Sequence, residues 1–146
     1  MSKPKQILIW RSDLRNADGH KVRSGKMAAQ LAHASLAAVL SCAVPGLRSI
    51  SISLMDEALP LGQRHTAPHA LRDWLEGQYA KICVSVNSEQ ELLDIIQKAK
   101  DLGLITSLIT DAGLTEFNGV PTITCGCVGP AYPEQLEGIT DHLPLL

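Results

Sequence analysis

Aromatic side chains are scarce: one Phe, two Tyr and two Trp in a chain of 146 residues. That argues against binding RNA by stacking bases on an aromatic platform. Long apolar runs are also missing, and none approaches the roughly 20 residues of a membrane span. Residues 1–6 hold neither a long apolar region nor a small-residue cleavage site, so no secretory signal is expected and the expected location is cytoplasmic. The four cysteines (Cys42, Cys83, Cys125, Cys127) form no C-x-x-C pair and no metal-ligand spacing, which reads as reduced core thiols. His20, His65, His69 and His142 show no ligand spacing either, so no zinc site is argued. A G-x-S-x-G nucleophile elbow is absent, and so are internal repeats and low-complexity tracts.

What is there is globular. Apolar residues make up 45% and charged residues 19%, in a length suited to one domain over residues 1–146. The net charge of −2 hides an asymmetry: residues 1–26 carry seven Lys or Arg against two Asp, and the remainder is acidic. A basic segment on an acidic body suggests a local anion site, or else a solvated N-terminal arm.

Gln6–Trp10 is a short apolar run of β formers and reads as a buried strand. Residues 12–25 read as a loop. Lys26–Leu40, rich in Ala and Leu, predicts a largely buried helix with Ser24 as its N-cap. Residues 47–70 are hard to read, with an alternating stretch at Ile50–Leu54 that could be a strand; Leu71–Glu76 after them reads as the end of a short helix. Lys81–Val86 predicts a strand. Asn87 or Ser88 then caps a helix with Glu89 and Glu91 in its first turn, Lys98 and Lys100 near its end, and Gly103 closing it. Leu104–Ile109 and Thr122–Val128 read as further strands, and Pro133–Leu136 as a short helix. Strands alternating with helices predict a three-layer α/β/α domain around a small, mostly parallel mixed sheet of four or so strands.

Gly19–Met27, GHKVRSGKM, sits where a phosphate-binding loop would be. Its glycines are wrongly spaced, and Met27 stands where a magnesium-binding hydroxyl is needed, so nucleotide hydrolysis is not expected. A cation, Lys26, at the positive end of a helix is nevertheless out of place, which suggests a role, although an exposed lysine without one is common. Asp111 ends a strand, and sites in open α/β sheets gather beyond strand carboxyl ends. Lys26 and Asp111 could therefore share a rim, as a pair that orients water or as a surface salt bridge worth little. Thr115 and Thr122, with Ser107 and Thr110 nearby, could hold a water or a carbonyl, though threonine is also simply a good strand former. Gln30 and His33 lie at helical spacing from Lys26 and can share its face. Cys125 and Cys127 should face one side of their strand as core.

Several stretches together resemble one family, the archaeal and eukaryotic-type peptidyl-tRNA hydrolases: GKMAAQLAHAS from Gly25 to Ser35, Trp74 with Gly77-Gln78, SLITDAGLTE from Ser107 to Glu116, PTITCGCVGP from Pro121 to Pro130, and ITDHLPLL at the end. Neither the G-K-x-A-A-Q-x-x-H-A pattern nor D-A-G-x-T is specific alone; in this order they are. The resemblance implies hydrolysis of the ester joining a peptide to the 3′ end of tRNA, with Lys26, Asp111, Thr115 and Thr122 as catalytic positions and Gln30 and His33 beside the substrate. It implies peptidyl-tRNA as partner and no metal or organic cofactor. Arg11, Arg15, Lys21 and Arg23 would then meet phosphates. Sequence leaves open whether Lys26 acts as base or electrophile, and whether the chain forms a homodimer. The alternatives are a non-catalytic RNA- or anion-binding module of the same fold, or an adaptor that docks a protein through residues 41–70. That stretch reads as an insertion, residues 12–25 are longer than the family's usual loop, and the turn before Thr122 is shorter.

Overall fold

A computed structural model describes residues 2–45, 50–52 and 68–146. Most of the expected insertion and its proposed docking role, together with Ser53-Leu54 of the expected strand, therefore lie outside the described residues. Of that region, Ala43–Pro45 (β2) and Ile50–Ile52 (β3) pair as an antiparallel two-stranded sheet.

The main sheet has four strands in the order β4-β1-β6-β5, where β1 is Lys5–Arg11, β4 Lys81–Val86, β5 Thr106–Asp111 and β6 Thr122–Ala131. β1 and β4 are parallel. β6 pairs antiparallel with both β1 and β5. β1, β4 and β5 thus point the same way and β6 runs against them. The expectation of a mostly parallel sheet holds for strand direction and is corrected for pairing. The physical reason is that β6 follows β5 through a short loop, which suits an antiparallel neighbour and leaves no room for a crossover. One consequence decides the site: the carboxyl ends of β1 and β5 and the start of β6 all lie at one rim.

Both faces are covered, as the unbroken apolar run of β1 requires. Leu8 and Trp10 face α1 (Ser24–Leu40) and α2 (Pro68–Glu76), where they pack with Leu31, Ala34, Ala38, Trp74, Cys125 and Cys127. Ile7 and Ile9 face α3 (Glu89–Asp101) and α4 (Pro133–Leu136), with Val128, Leu92, Ile96 and Leu136. Ser88 caps α3 as expected, its side chain accepting the Glu91 N–H at 3.1 Å. α1 departs from expectation. It begins at Ser24, its N-cap is Arg23, and no side chain of its own caps it. Gly126 is required where β6 crosses under α3, since a Cβ there would lie 2.7 Å from the Ser107 carbonyl oxygen. None of the four cysteines forms a disulfide among the described residues. Burial pushes the Cys125 thiol up to about 11 and raises that of Cys127 further, so both are unionised core groups. Among the described residues no helix is long and apolar enough to cross a membrane.

Candidate active site

The loop after β1 delivers the first turn of α1 to the rim where β5 ends. Lys26 Nζ donates to Asp111 Oδ1 at 2.8 Å and to the Thr115 hydroxyl at 3.2 Å. Gln30, one turn along α1, donates its amide to the same Asp111 oxygen at 3.1 Å. The other carboxylate oxygen accepts the Gly113 N–H at 2.9 Å. The Lys26 and Asp111 side chains are only 14% and 12% exposed, so this is a largely desolvated pair and not a surface one. The hydrogen bond from Lys26 holds the Asp111 carboxyl below its ordinary pKa; burial works against this, and the Gly113 N–H and Gln30 amide add to it. The arrangement is a charged ammonium aimed by a fully coordinated carboxylate. An ammonium has three donors, and two are committed here. The third can serve an oxygen that gains negative charge.

Comparison with known proteins bears on what that oxygen belongs to. Residues 4–146 match the family described as peptidyl-tRNA hydrolase PTH2. The chain belongs to the PTH2 family. It is 34% identical to a peptidyl-tRNA hydrolase of Methanopyrus kandleri over 142 residues, covering 97% of each chain. It is 36% identical to one of Methanothermobacter thermautotrophicus over 143 residues, covering 97% of this chain and 99% of the other. A probable peptidyl-tRNA hydrolase 2 of Dictyostelium discoideum is 34% identical over 97% of this chain and 54% of its own length.

In this PTH2 chain Lys26, Gln30, Asp111 and Thr115 come together in one hydrogen-bonded cluster. Thr122 pairs with Asp111 across the β5–β6 ladder, but its hydroxyl donates to the Val120 carbonyl at 2.8 Å. The threonine joined to the cluster is Thr124, fully buried, whose hydroxyl donates to Gln30 Oε1 at 2.7 Å. A β-bulge is the reason. Ile109 pairs with Cys125 and Thr110 with Ile123, which leaves Thr124 as the extra residue. Cys125 faces the α1-side core as expected. Thr124, its neighbour, would point the opposite way in a regular strand, but the bulge turns it toward α1 as well. By accepting from Thr124, the Gln30 carbonyl oxygen is fixed and its NH₂ is directed at Asp111. Replacing Thr124 with Val should therefore cost about 1–3 kcal/mol in urea unfolding, because Gln30 Oε1 is left buried without a donor. It should also lower turnover about tenfold through lost orientation. Wild-type turnover in a folded Thr124→Val protein would remove this threonine from the site.

The basic residues divide. Arg11 is only 11% exposed and is tied to Asp13 at 2.7 Å and Glu89 at 3.3 Å. It also donates to the Ile123 carbonyl at 2.8 Å, where β6 runs past the end of β1. It clamps the strand that carries Thr124, with its guanidinium bound to two carboxylates and a carbonyl. Arg15 is exposed and folds back on the Ser12 and Leu14 carbonyls. Lys21 is exposed beside a cavity of about 230 Å³ lined also by Trp10, Ser12, Val22 and Met27. Arg23 pairs with Glu116 at 2.8 Å. His33 is exposed on α1. Sequence reasoning missed Thr124 and Glu116. Two threonines spaced by two in one strand offered the only signal for the first, and nothing marked the second as buried.

Proposed function

We infer that this protein hydrolyses the ester linking the peptide to the terminal ribose of tRNA in peptidyl-tRNA. The observation that carries the reading is the Lys26 ammonium held at a strand-end rim by Asp111 and Thr115, in a chain of the PTH2 family. Lys26 is paired with the Asp111 carboxylate at 2.8 Å, and in its ammonium form it has three N–H donors and no lone pair to take a proton, so we assign it the electrophile role. Its third N–H meets the ester carbonyl oxygen and stabilises the oxyanion formed when water adds. Asp111 keeps the ammonium aimed. Thr115 accepts from Lys26, which leaves its own O–H to orient the water or the carbonyl. The acyl–oxygen bond then breaks, water supplies hydroxyl to the acyl carbon, and a proton goes to the departing ribose oxygen. Gln30 and Thr124 hold Asp111. His33, exposed on the same helix beyond Gln30, faces the incoming substrate, and the PTH2 relatives give no reason to prefer a non-catalytic binding module.

Arg15 and Lys21, exposed on the loop before α1, are the cations we assign to phosphates. The test is release of N-acetylated amino acid from acylated tRNA by the purified protein. Release far above the spontaneous rate is expected, and its absence would refute the reading. Two phosphate contacts release counterions, so log KM should rise with log salt concentration with a slope of about 1.5 to 2, at unchanged kcat.

A further inference from the structure

Thr115 belongs to an exposed loop, between Leu114 at 84% exposure and a run that ends at Val120 at 59%. A hydroxyl on such a loop would ordinarily wander. The residue after it behaves differently. Glu116 is only 8% exposed. Its Oε1 accepts from the Arg23 guanidinium at 2.8 Å, and its Oε2 accepts the Arg23 backbone N–H at 3.4 Å. Its carbonyl oxygen accepts the Ala17 N–H at 3.0 Å. One residue thus fastens the β5–β6 loop to the loop before α1 and to the N-cap position of the helix that carries Lys26. Phe117, buried in the α1-side core with Leu14, anchors the same loop from its other side. Arg23 is 69% exposed and its guanidinium is bound to the buried carboxylate, so its geometry serves Glu116 first.

Resting on the hydrolase reading above, we propose that Glu116 is a positioning residue for hydrolysis: paired with Arg23, it holds the Thr115 hydroxyl against the Lys26 ammonium. Neither partner touches the reacting atoms. Thr115 acts for them, and their contribution passes through its placement. This assigns Arg23, expected from sequence to meet phosphate, to the architecture of the catalytic rim.

The proposal is tested by steady-state kinetics on peptidyl-tRNA with Glu116→Ala, Glu116→Gln, Arg23→Ala, the Glu116→Ala/Arg23→Ala double variant, and Glu116→Ala in a Thr115→Val background. Glu116→Ala and Arg23→Ala should each lower kcat about tenfold, with KM within about twofold of wild type, as expected for lost orientation. The double variant should fall no further than the worse single, because both changes break one contact. Glu116→Gln should recover most of kcat, since its amide oxygen still accepts from Arg23. In the Thr115→Val protein, adding Glu116→Ala should cost nothing more, whereas a residue that only supports the fold would lower kcat in either background. Multiplicative losses, a loss confined to KM, an additional loss in the Thr115→Val background, or a Glu116→Gln protein as slow as Glu116→Ala would each overturn the proposal. If Glu116→Ala fails to fold, Arg23→Ala, with and without Thr115→Val, carries the same test, because that side chain is exposed. An inactive wild type would instead refute the hydrolase reading, while an active wild type with unaffected variants would refute the positioning role alone.

Discussion

Lys26→Ala is expected to lower kcat for peptidyl-tRNA hydrolysis about 100- to 1000-fold, the loss typical of deleting a donor to a developing oxyanion. Asp111→Asn should fall in the same range for a different reason. Its oxygen loses the charge that aims the ammonium at 2.8 Å, and Lys26 is left largely buried without a counter-charge. The two losses should not multiply in the double variant, because the residues act as a unit. The pH profile checks the same assignment. The hydrogen bond from Lys26 depresses the Asp111 pKa in the folded state. The stabilisation from the ionised carboxylate is therefore complete above its unfolded-state pKa and is lost as pH falls through the lower folded value. Turnover should accordingly show no loss due to Asp111 until the pH drops below the ordinary carboxylate range. A Lys26→Ala protein that retains more than about a tenth of wild-type turnover would refute the electrophile role.

Gly113→Ala is expected to be the most damaging single methyl group added to the rim. Gly113 has φ +82°, the left-handed region, and a Cβ there would overlap the Val120 backbone carbonyl. Its N–H also donates to Asp111 Oδ2 at 2.9 Å, and its carbonyl accepts the Gly119 N–H at 2.7 Å. An alanine must shift this loop, losing both bonds and pulling Asp111 and Thr115 out of register. Backbone strain of about 1–2 kcal/mol adds to the steric and hydrogen-bond losses, so unfolding free energy should drop by at least about 2 kcal/mol. Urea unfolding and kcat measured together check this. A variant within about 0.5 kcal/mol of wild type would show that the loop has room the described geometry denies it.

The strands at Lys81–Val86 and Gln6–Trp10 and the helices at Glu89–Asp101 and Pro133–Leu136 were legible because their signals are local: an apolar run bounded by turns, a serine cap with acids in the first turn, a proline in the first turn. The start of α1 was misread because Ser24 looks like a cap and is in fact the first helical residue. The carboxylate that accepts the Arg23 N–H at that helix end, Glu116, comes from another part of the chain. β5 was placed too early because Leu104 and Ile105 are apolar yet precede the strand, as buried core residues. For Arg11 the charge is legible in the sequence, and its partners Asp13, Glu89 and the Ile123 carbonyl come only with the fold. Charge says that a cation exists, and only its neighbours say what it is spent on.

For the site, spacing within α1 put Lys26 and Gln30 on one helix face, and motif order singled out Asp111 and Thr115. These are properties of residues close in sequence, or of a pattern carried by the chain. That Lys26 and Asp111, 85 positions apart, meet at 2.8 Å was decided by β6 lying between β1 and β5, which brings the strand ends to one rim. That Thr124 and not Thr122 joins them was decided by one extra residue in a β-bulge. Alternation along a strand is written in the sequence, but a break in it depends on how two strands register against each other, which no single segment of chain specifies.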